Sequence, residues 1–264
     1  MLQILVNNFS LNPSFFVFLH TKSTYMEVKT KALVLRALKY GDTQIIVDLL
    51  TETNGRMAII QHLGQGRHAR IRKQLFQPLT MLDVVIDQRP RARLHRLKDA
   101  RLIFPYTSVP FDAAKLSMCM FVAEFLAQAT RNEQRDVPLF QYVVASMRWL
   151  DECVRPVPNF HLVFMMRLSL FLGFHPNMEG EGPYFDLRAG CFAQQPPLHK
   201  DCLSADDSAR LRLLMRMNYD NMHLFAMTRA DRNRCVDVIM QYYQLHIPDM
   251  REMKSLAVLK ELFG

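Results

Sequence analysis

Between Arg56 and Arg101 two alternating apolar runs, MAIIQHL and TMLDVVID, are each followed by a burst of cationic side chains. The first burst holds Arg67, Arg70, Arg72 and Lys73; the second holds Arg89, Arg91, Arg93, Arg96 and Lys98. A period of two sends one side of each run into a core and the other toward solvent, which is the pattern of a half-buried strand. Strands that end in basic loops make a rigid platform with charge at its rim, a surface suited to nucleic acid.

The same pattern extends to both sides. VKTKALVLRALKY, from Val28, alternates with Ala32, Val34 and later apolar positions expected to face inward. Gly41-Asp42 supplies a turn and QIIVDLLTE a second strand. Thr53-Asn54-Gly55 then predicts a hairpin, with positive φ expected at both Asn54 and Gly55, and RMAIIQHL as the partner strand. After a turn-rich link ending at Pro78 comes TMLDVVID; Pro90 breaks the chain, and RLHRLKDARLIF is a fifth extended segment. Five short strands in about 80 residues suggest a small closed barrel of the oligonucleotide-binding (OB) type, with an SH3-like barrel as the alternative.

Pro105 and Pro110 mark a boundary beyond which the period becomes helical. The expected architecture is therefore α+β: an OB-fold β-barrel over 26–104 and an all-helical part over 105–264. Asp112 suits the dipole of the first helix. NFHLVFMMRLSLFLGF is apolar all round and is expected to be central, with Pro176 ending it. The Gly- and Pro-rich stretch 176–203 carries no helical period and is expected to be irregular; helices resume at ADDSARLRLLMRM, DRNRCVDVIMQYYQLHI and MKSLAVLKELF. Residues 1–25 fit poorly with the strand-rich segment after them, and Met26 stands just before the first strand pattern, so they are expected to be an upstream mis-start or a loose tail. No apolar run approaches the ~20 residues that span a bilayer.

Charge is not spread evenly. From Met26 to Phe104 there are 15 Lys/Arg against 7 Asp/Glu, whereas Pro105 to Gly264 has 17 against 18. The whole basic excess sits on the strand-rich part, which argues for a polyanionic partner there. The five cysteines, Cys119, Cys153, Cys191, Cys202 and Cys235, are scattered and odd in number, as expected of reduced thiols in a cytosolic protein.

Other motifs have plainer readings. GQGRHA (Gly64 to Ala69) has the form of a dinucleotide fingerprint but lies between a hairpin strand and a basic loop, not in a βαβ unit. Cys191, His199 and Cys202, with His175, invite a metal reading, but no C-x-x-C pair is present and buried thiols are the better account, so no metal or other cofactor is expected. No catalytic motif is found; Asp206-Asp207 reads as a helix start, Asp151-Glu152 as a solvated helical face and His161 as a core histidine. The methionines Met118, Met120, Met165, Met166, Met215 and Met217 read as core filling rather than as a peptide groove.

Lys39-Tyr40-Gly41-Asp42, Leu49-Leu50-Thr51, Gly55, the basic loop Gly64 to Lys73 and Gln77-Pro78 follow one another in the order seen in a known family. With RLSLFLGFHPN (Arg167 to Asn177), YFDLRAG (Tyr184 to Gly190) and SLAVLKEL (Ser255 to Leu262), they resemble the bacterial recombination mediator RecO. The resemblance covers residues 26 to the end. It implies an OB-fold on a helical domain, binding of single- and double-stranded DNA, strand annealing, and loading of RecA onto strands coated by single-stranded-DNA-binding protein. The partners it implies are RecR and the acidic C-terminal tail of that protein; the location is the cytoplasm, at the nucleoid. Many family members carry a four-cysteine zinc site after the "LG(F/Y)xP" helix end, and this chain departs from that pattern, since Asn177 to Pro183 contain no cysteine.

The expected phosphate contacts are Arg36, Lys39, Arg56, Arg67, Arg70, Arg72, Lys73, Arg89, Arg91 and Arg93, with Tyr40 and Phe76 as the candidates for base stacking. Arg131, Arg135, Arg210, Arg212 and Arg216 are the candidates for an acidic peptide tail. An RNA-binding OB protein and a protein-interaction scaffold are the other classes compatible with the text.

Overall fold

The computed structural model describes residues 26–63, 73–89, 92–131 and 134–262. Residues 1–25, the loop residues Arg67, Arg70 and Arg72, and Arg91 lie outside the described residues.

Five strands, β1 (Met26–Tyr40), β2 (Gln44–Thr51), β3 (Gly55–His62), β4 (Met81–Gln88) and β5 (His95–Phe104), close into a barrel in the order β1-β2-β3-β5-β4. All neighbours are antiparallel except β3 and β5, which close the barrel in parallel at Ile59↔His95 and Ile60↔Arg96. This is the OB arrangement expected of the sequence. Ala32, Val34, Val47, Leu49, Ile59, Leu82, Val84 and Ile86 fill the barrel, and Phe76 belongs to the same core.

Two turns refine the hairpin expectations. Gly41 takes φ +63°, as the β1–β2 turn requires. At the β2–β3 turn Gly55 has φ +63° but Asn54 does not have positive φ, and Thr51 pairs with Gly55. The connection is thus a three-residue loop ending on a left-handed glycine, not a two-residue Asn-Gly turn. Thr51 Oγ1 donates to Gly55 O at 2.8 Å and accepts from Asn54 N, which holds the loop closed.

Strand β1 is buried on both faces at its centre. Ala32 and Val34 enter the barrel, whereas Leu33 and Leu35 enter a second core built mainly from the helices. The register with β2 then slips between Val34 and Arg36, leaving Leu35 as an extra residue. A one-residue bulge turns every later side chain to the other face. Arg36, Leu38 and Tyr40 consequently point away from the barrel, Leu38 and Tyr40 being 50% and 55% exposed, against the expectation that the later apolar positions face inward.

Six helices follow: α1 (Ala113–Ala129), α2 (Val137–Glu152), α3 (Phe160–Phe171), α4 (Ala205–Arg216), α5 (Arg229–His246) and α6 (Lys254–Leu262). Asp112 caps α1, its carboxylate accepting from Ala114 N and Lys115 N; Ser204 caps α4, and Thr228 with Asp231 forms a capping box on α5. Helix α3 is central and buried along nearly its whole length, as its composition predicts. It stops at Phe171, and Gly173 with φ +80° turns the chain, so the glycine and not Pro176 ends it. Within 176–203, expected to be irregular, three short strands β6 (Tyr184–Asp186), β7 (Cys191–Ala193) and β8 (Cys202–Leu203) form a small sheet in the order β7-β6-β8.

The barrel and helices share a core. Leu33, Leu35, Leu50, Leu79 and Met81 of the strand-rich part pack in one cluster with Phe121, Val122, Phe125 and Leu126 of α1. A polar joint reinforces it. Asp151 is buried, not solvated as its neighbourhood in the sequence suggests, and its carboxylate accepts from the amides of Thr107, Ser108 and Val109. Buried Lys115 completes the joint by donating to Ser108 Oγ, Asp151 O and Cys153 O. Glu152, one residue on, is exposed. Among the methionines, Met118, Met165, Met166 and Met217 are core, while Met120 is 48% exposed.

Candidate nucleic-acid interface

A cleft of about 1920 Å³ runs between the barrel and the pair α1–α6. Its barrel wall carries Arg36, Lys39, Lys73 and Arg93, and its helical wall carries Arg131, Arg251 and Lys254. Lys39, Lys73 and Arg93 are exposed and have no ion-pair partner among the described residues. Arg36 is exposed but pairs with Asp48, directly opposite on β2.

Arg56 sits at the bottom of the cleft and serves as a strut. It donates to Asp48 Oδ2 at 3.3 Å, to Ala127 O at 3.2 Å and to Thr130 Oγ1 at 3.2 Å, so its donors tie β3 to α1. Burial, opposed by Asp48, lowers its pKa, and a guanidinium stays charged in any case. The opposite wall is tied down similarly. Glu124 on α1 accepts from Lys254 N at 3.1 Å, Ser255 N at 2.9 Å and Ser255 Oγ at 2.5 Å, capping the start of α6. Burial alone would raise the Glu124 pKa, but these bonds and the nearby Lys254 charge outweigh it and hold the carboxyl below its ordinary range. Gln128 Oε1 accepts from Arg251 N at 2.6 Å.

From the cleft the outer face of β1-β2-β3 continues as cross-strand rows. Arg36–Asp48–Ala58 borders the cleft, Leu38–Ile46–Ile60 comes next, and Tyr40–Gln44–His62 lies beyond. The row of Ile60 extends to Arg96 on β5. Exposed apolar and aromatic side chains beside cations are what unstacked bases and phosphates require. Of the two stacking candidates, Tyr40 is exposed on this face and Phe76 is buried in the barrel.

The other sequence candidates are dispersed. Arg89 is exposed just after β4, away from the cleft, its amide donating to His95 Nδ1. Burial, and after it the Arg89 charge, lowers the His95 pKa. Arg135 is exposed ahead of α2 and Arg216 at the end of α4. Arg210 pairs with Asp207 and Asp231. Arg212 lies 3.4 Å from the Phe192 ring centroid and donates to Gly180 O and Gly182 O, both at 3.2 Å. Arg251 and Lys254 carry no signal in the sequence, because the near-neutral total of the helical part conceals a local cluster.

The four-cysteine zinc site that the resemblance implies does not fit the residues present here. Cys191 and Cys202 both pair in register with Asp186, and His199 Nε2 stands 3.3 Å from Asp186 Oδ2. His175 instead contacts Ser169 Oγ and Met166 O, and all five thiols are free. Among the described residues no group of three or more His, Cys, Asp or Glu could hold a metal ion, and no helix is long and apolar enough to cross a membrane.

The family described as Recombination protein O N terminal matches residues 26–106, the barrel, and that described as Recombination protein O C terminal matches 110–257. The chain belongs to the RecO family. It is 48% identical over 238 residues to the DNA repair protein RecO of Phocaeicola vulgatus, covering 89% of this chain and 99% of that one. To the protein of the same name from Bacteroides fragilis it is 45% identical, over 89% of this chain and 98% of the relative. The corresponding protein of Christiangramia forsetii is 34% identical over 90% of this chain and all of its own. RecO membership places the chain in DNA repair and recombination.

Proposed function

We propose that this protein is a DNA-binding recombination mediator without catalytic chemistry of its own, which anneals complementary strands and helps load RecA onto strands coated by single-stranded-DNA-binding protein. The observation that carries the reading is the set of barrel-wall cations without an ion pair among the described residues, Lys39, Lys73 and Arg93, beside the outer rows of β1-β2-β3 with exposed Leu38 and Tyr40. Each cation that meets a phosphate releases counterions, giving affinity that falls with salt and has little sequence preference. Bases would lie against Leu38, Ile46, Ile60 and Tyr40, whose faces accept any base. Screening two strands on one basic surface lowers their repulsion and promotes pairing. Arg67, Arg70, Arg72 and Arg91, which lie outside the described residues, and Arg89 are further proposed phosphate contacts.

RecR and the acidic tail of single-stranded-DNA-binding protein are the proposed protein partners, with Arg135 and Arg216 the two of the five candidate arginines left exposed outside the cleft. The proposed location is the cytoplasm, at the nucleoid.

The test is fluorescence anisotropy with a labelled single-stranded DNA over a salt series, for wild type and for a Lys39→Ala/Lys73→Ala/Arg93→Ala variant. The expected result is steep salt dependence in wild type and a slope shallower by about 2 in the variant, at about 0.7 per phosphate contact. Absence of binding at low salt would remove the basis of the reading, and tighter binding to matched RNA would redirect it to an RNA-binding protein.

A further inference from the structure

On the reading of the cleft as a DNA site, we propose that the helical part supplies its second wall: Arg131, Arg251 and Lys254 hold the backbone of the same single strand that the barrel binds. These three side chains are exposed, line the cleft opposite the barrel, and have no ion-pair partner among the described residues. The same cleft is lined from the barrel side by Lys39, Lys73 and Arg93, which also have no ion-pair partner among the described residues. Like charges on two facing walls repel until a polyanion lies between them, and low-dielectric walls concentrate the field in the groove.

The carboxylates lining the cleft form no ion pair with these cations among the described residues, although the Lys254 charge does act on Glu124. Asp48 is already bound by Arg36 and Arg56, and Glu124 by Lys254 N, Ser255 N and Ser255 Oγ. Asp42 and Glu252 remain, against six cations. Elsewhere in the helical part basic side chains do find acids: Arg210 and Arg234 meet Asp207, and Lys260 meets Asp237. What sets the cleft apart is that cations without an ion pair among the described residues line it from both the barrel and the helical part. Exposed Met120 on α1 and Val258 on α6, 48% and 51% accessible, add an apolar strip on the same wall for bases turned inward.

A short acidic peptide is the other ligand that cations beside an apolar strip could take. The cleft favours the longer polyanion, because its cations stand on both walls and its lining runs from the β1–β2 turn at Asp42 to Val258 on α6. Glu124 then has a positioning role: it holds α6, and with it Lys254 and Val258, against α1.

The experiment compares wild type, the barrel-wall variant and an Arg131→Ala/Arg251→Ala/Lys254→Ala variant, each checked by circular dichroism and urea midpoint, on labelled oligothymidine across a salt series. The helical-wall variant is expected to lose about 2 from the salt slope, as three phosphate contacts to a single strand require, and Arg131→Lys/Arg251→Lys to keep the wild-type slope. The proposal is overturned if that variant retains the wild-type slope while the barrel-wall variant loses it, an outcome that leaves the DNA reading intact. It is equally overturned if the DNA slope is unchanged and affinity for a labelled acidic peptide is lost, which would make the wall a protein site. No salt-dependent binding by wild type would instead strike the underlying reading. Glu124→Ala separates position from charge: removing a negative charge from the groove should tighten binding if charge alone matters, whereas loss of the α6 anchor should weaken it. Tighter binding by this variant counts against the two-wall arrangement.

Discussion

The barrel wall and helix α4 are both rich in cations, yet the structure treats them in opposite ways. On the barrel wall Lys39, Lys73 and Arg93 reach solvent without an ion-pair partner among the described residues. On α4, Arg210 is paired with Asp207 and Asp231, and Arg212 lies over the Phe192 ring with two backbone carbonyls as acceptors. A cluster of arginines in a sequence thus marks either a ligand surface or a structural clamp. What separates the two is whether the fold brings acceptors to them. A planar fork that stacks and donates at once suits the clamp; an exposed charge without a partner suits the ligand surface.

The strongest test of this contrast concerns charges folded inward. Asp151→Ala would strand the buried amides of Thr107, Ser108 and Val109, and should cost about 3–5 kcal/mol by urea denaturation while leaving DNA affinity of the folded fraction unchanged. Burial tends to raise the Asp151 pKa, but those amides override it and push the group down to about 2 from its ordinary 3.8. A carboxyl lowered on folding stabilises the native state fully above its unfolded value and loses that contribution as pH falls from 3.8 toward 2. The Asp151 part of the acid limb should therefore lie in that window and vanish in the variant.

His161 acts earlier in the same titration. Burial, with the Arg232 charge second, pushes its pKa down from 6.5 to about 3. Below pH 6.5 the unfolded chain takes up a proton that the folded chain refuses until about pH 3, so stability declines through that interval. The slope contributed approaches about 1.4 kcal/mol per pH unit. His161→Phe should flatten stability between pH 6 and 4, roughly, by this account; an unchanged slope would show that another group governs it.

Arg212→Ala is the next smaller effect. It removes a cation–π contact and two hydrogen bonds that fasten the Gly180–Gly182 segment to α4. The expected loss is about 1–2 kcal/mol in urea, with no change in the salt slope of DNA binding. A change in binding of an acidic peptide without loss of stability would return Arg212 to the ligand class.

How much of this is legible in the sequence depends on what each signal encodes. The five strands follow from period-two alternation punctuated at Gly41, Gly55 and Pro90, whereas their order around the barrel does not, and the helical part follows from the change of period after Pro110. The bulge at Leu35 leaves no such mark, because ALVL is apolar whichever way it points, and it alone decides that Arg36, Leu38 and Tyr40 face out. Asp151 reads as a solvated residue at a helix end until the linker Thr107–Val109 is seen to fold over it. Arg251 and Lys254 stay hidden for a further reason: whole-segment charge counts average over side chains that the fold has already paired. Lys39 and Lys73 are legible because exposed cations at strand ends in a basic segment have few acids nearby to meet.

The smallest effect on stability belongs to the barrel wall itself, and it closes the contrast. Lys39→Ala/Lys73→Ala/Arg93→Ala removes three exposed side chains with no ion pair among the described residues, so the stability measured in urea should move by no more than about 0.5 kcal/mol. Its sign should be positive, since facing cations repel across the cleft and their removal relieves the folded state more than the expanded one. Added salt should shrink the gain, because screening does in the wild type what the substitutions do in the variant. A surface kept for a ligand is thus expected to weaken the fold slightly at low salt and to stop doing so when DNA is bound. Unfolding of wild type and variant with and without oligothymidine measures this directly: DNA should stabilise the wild type more than the variant. Equal stabilisation of the two would mean that these three charges belong with the clamps of α4 after all.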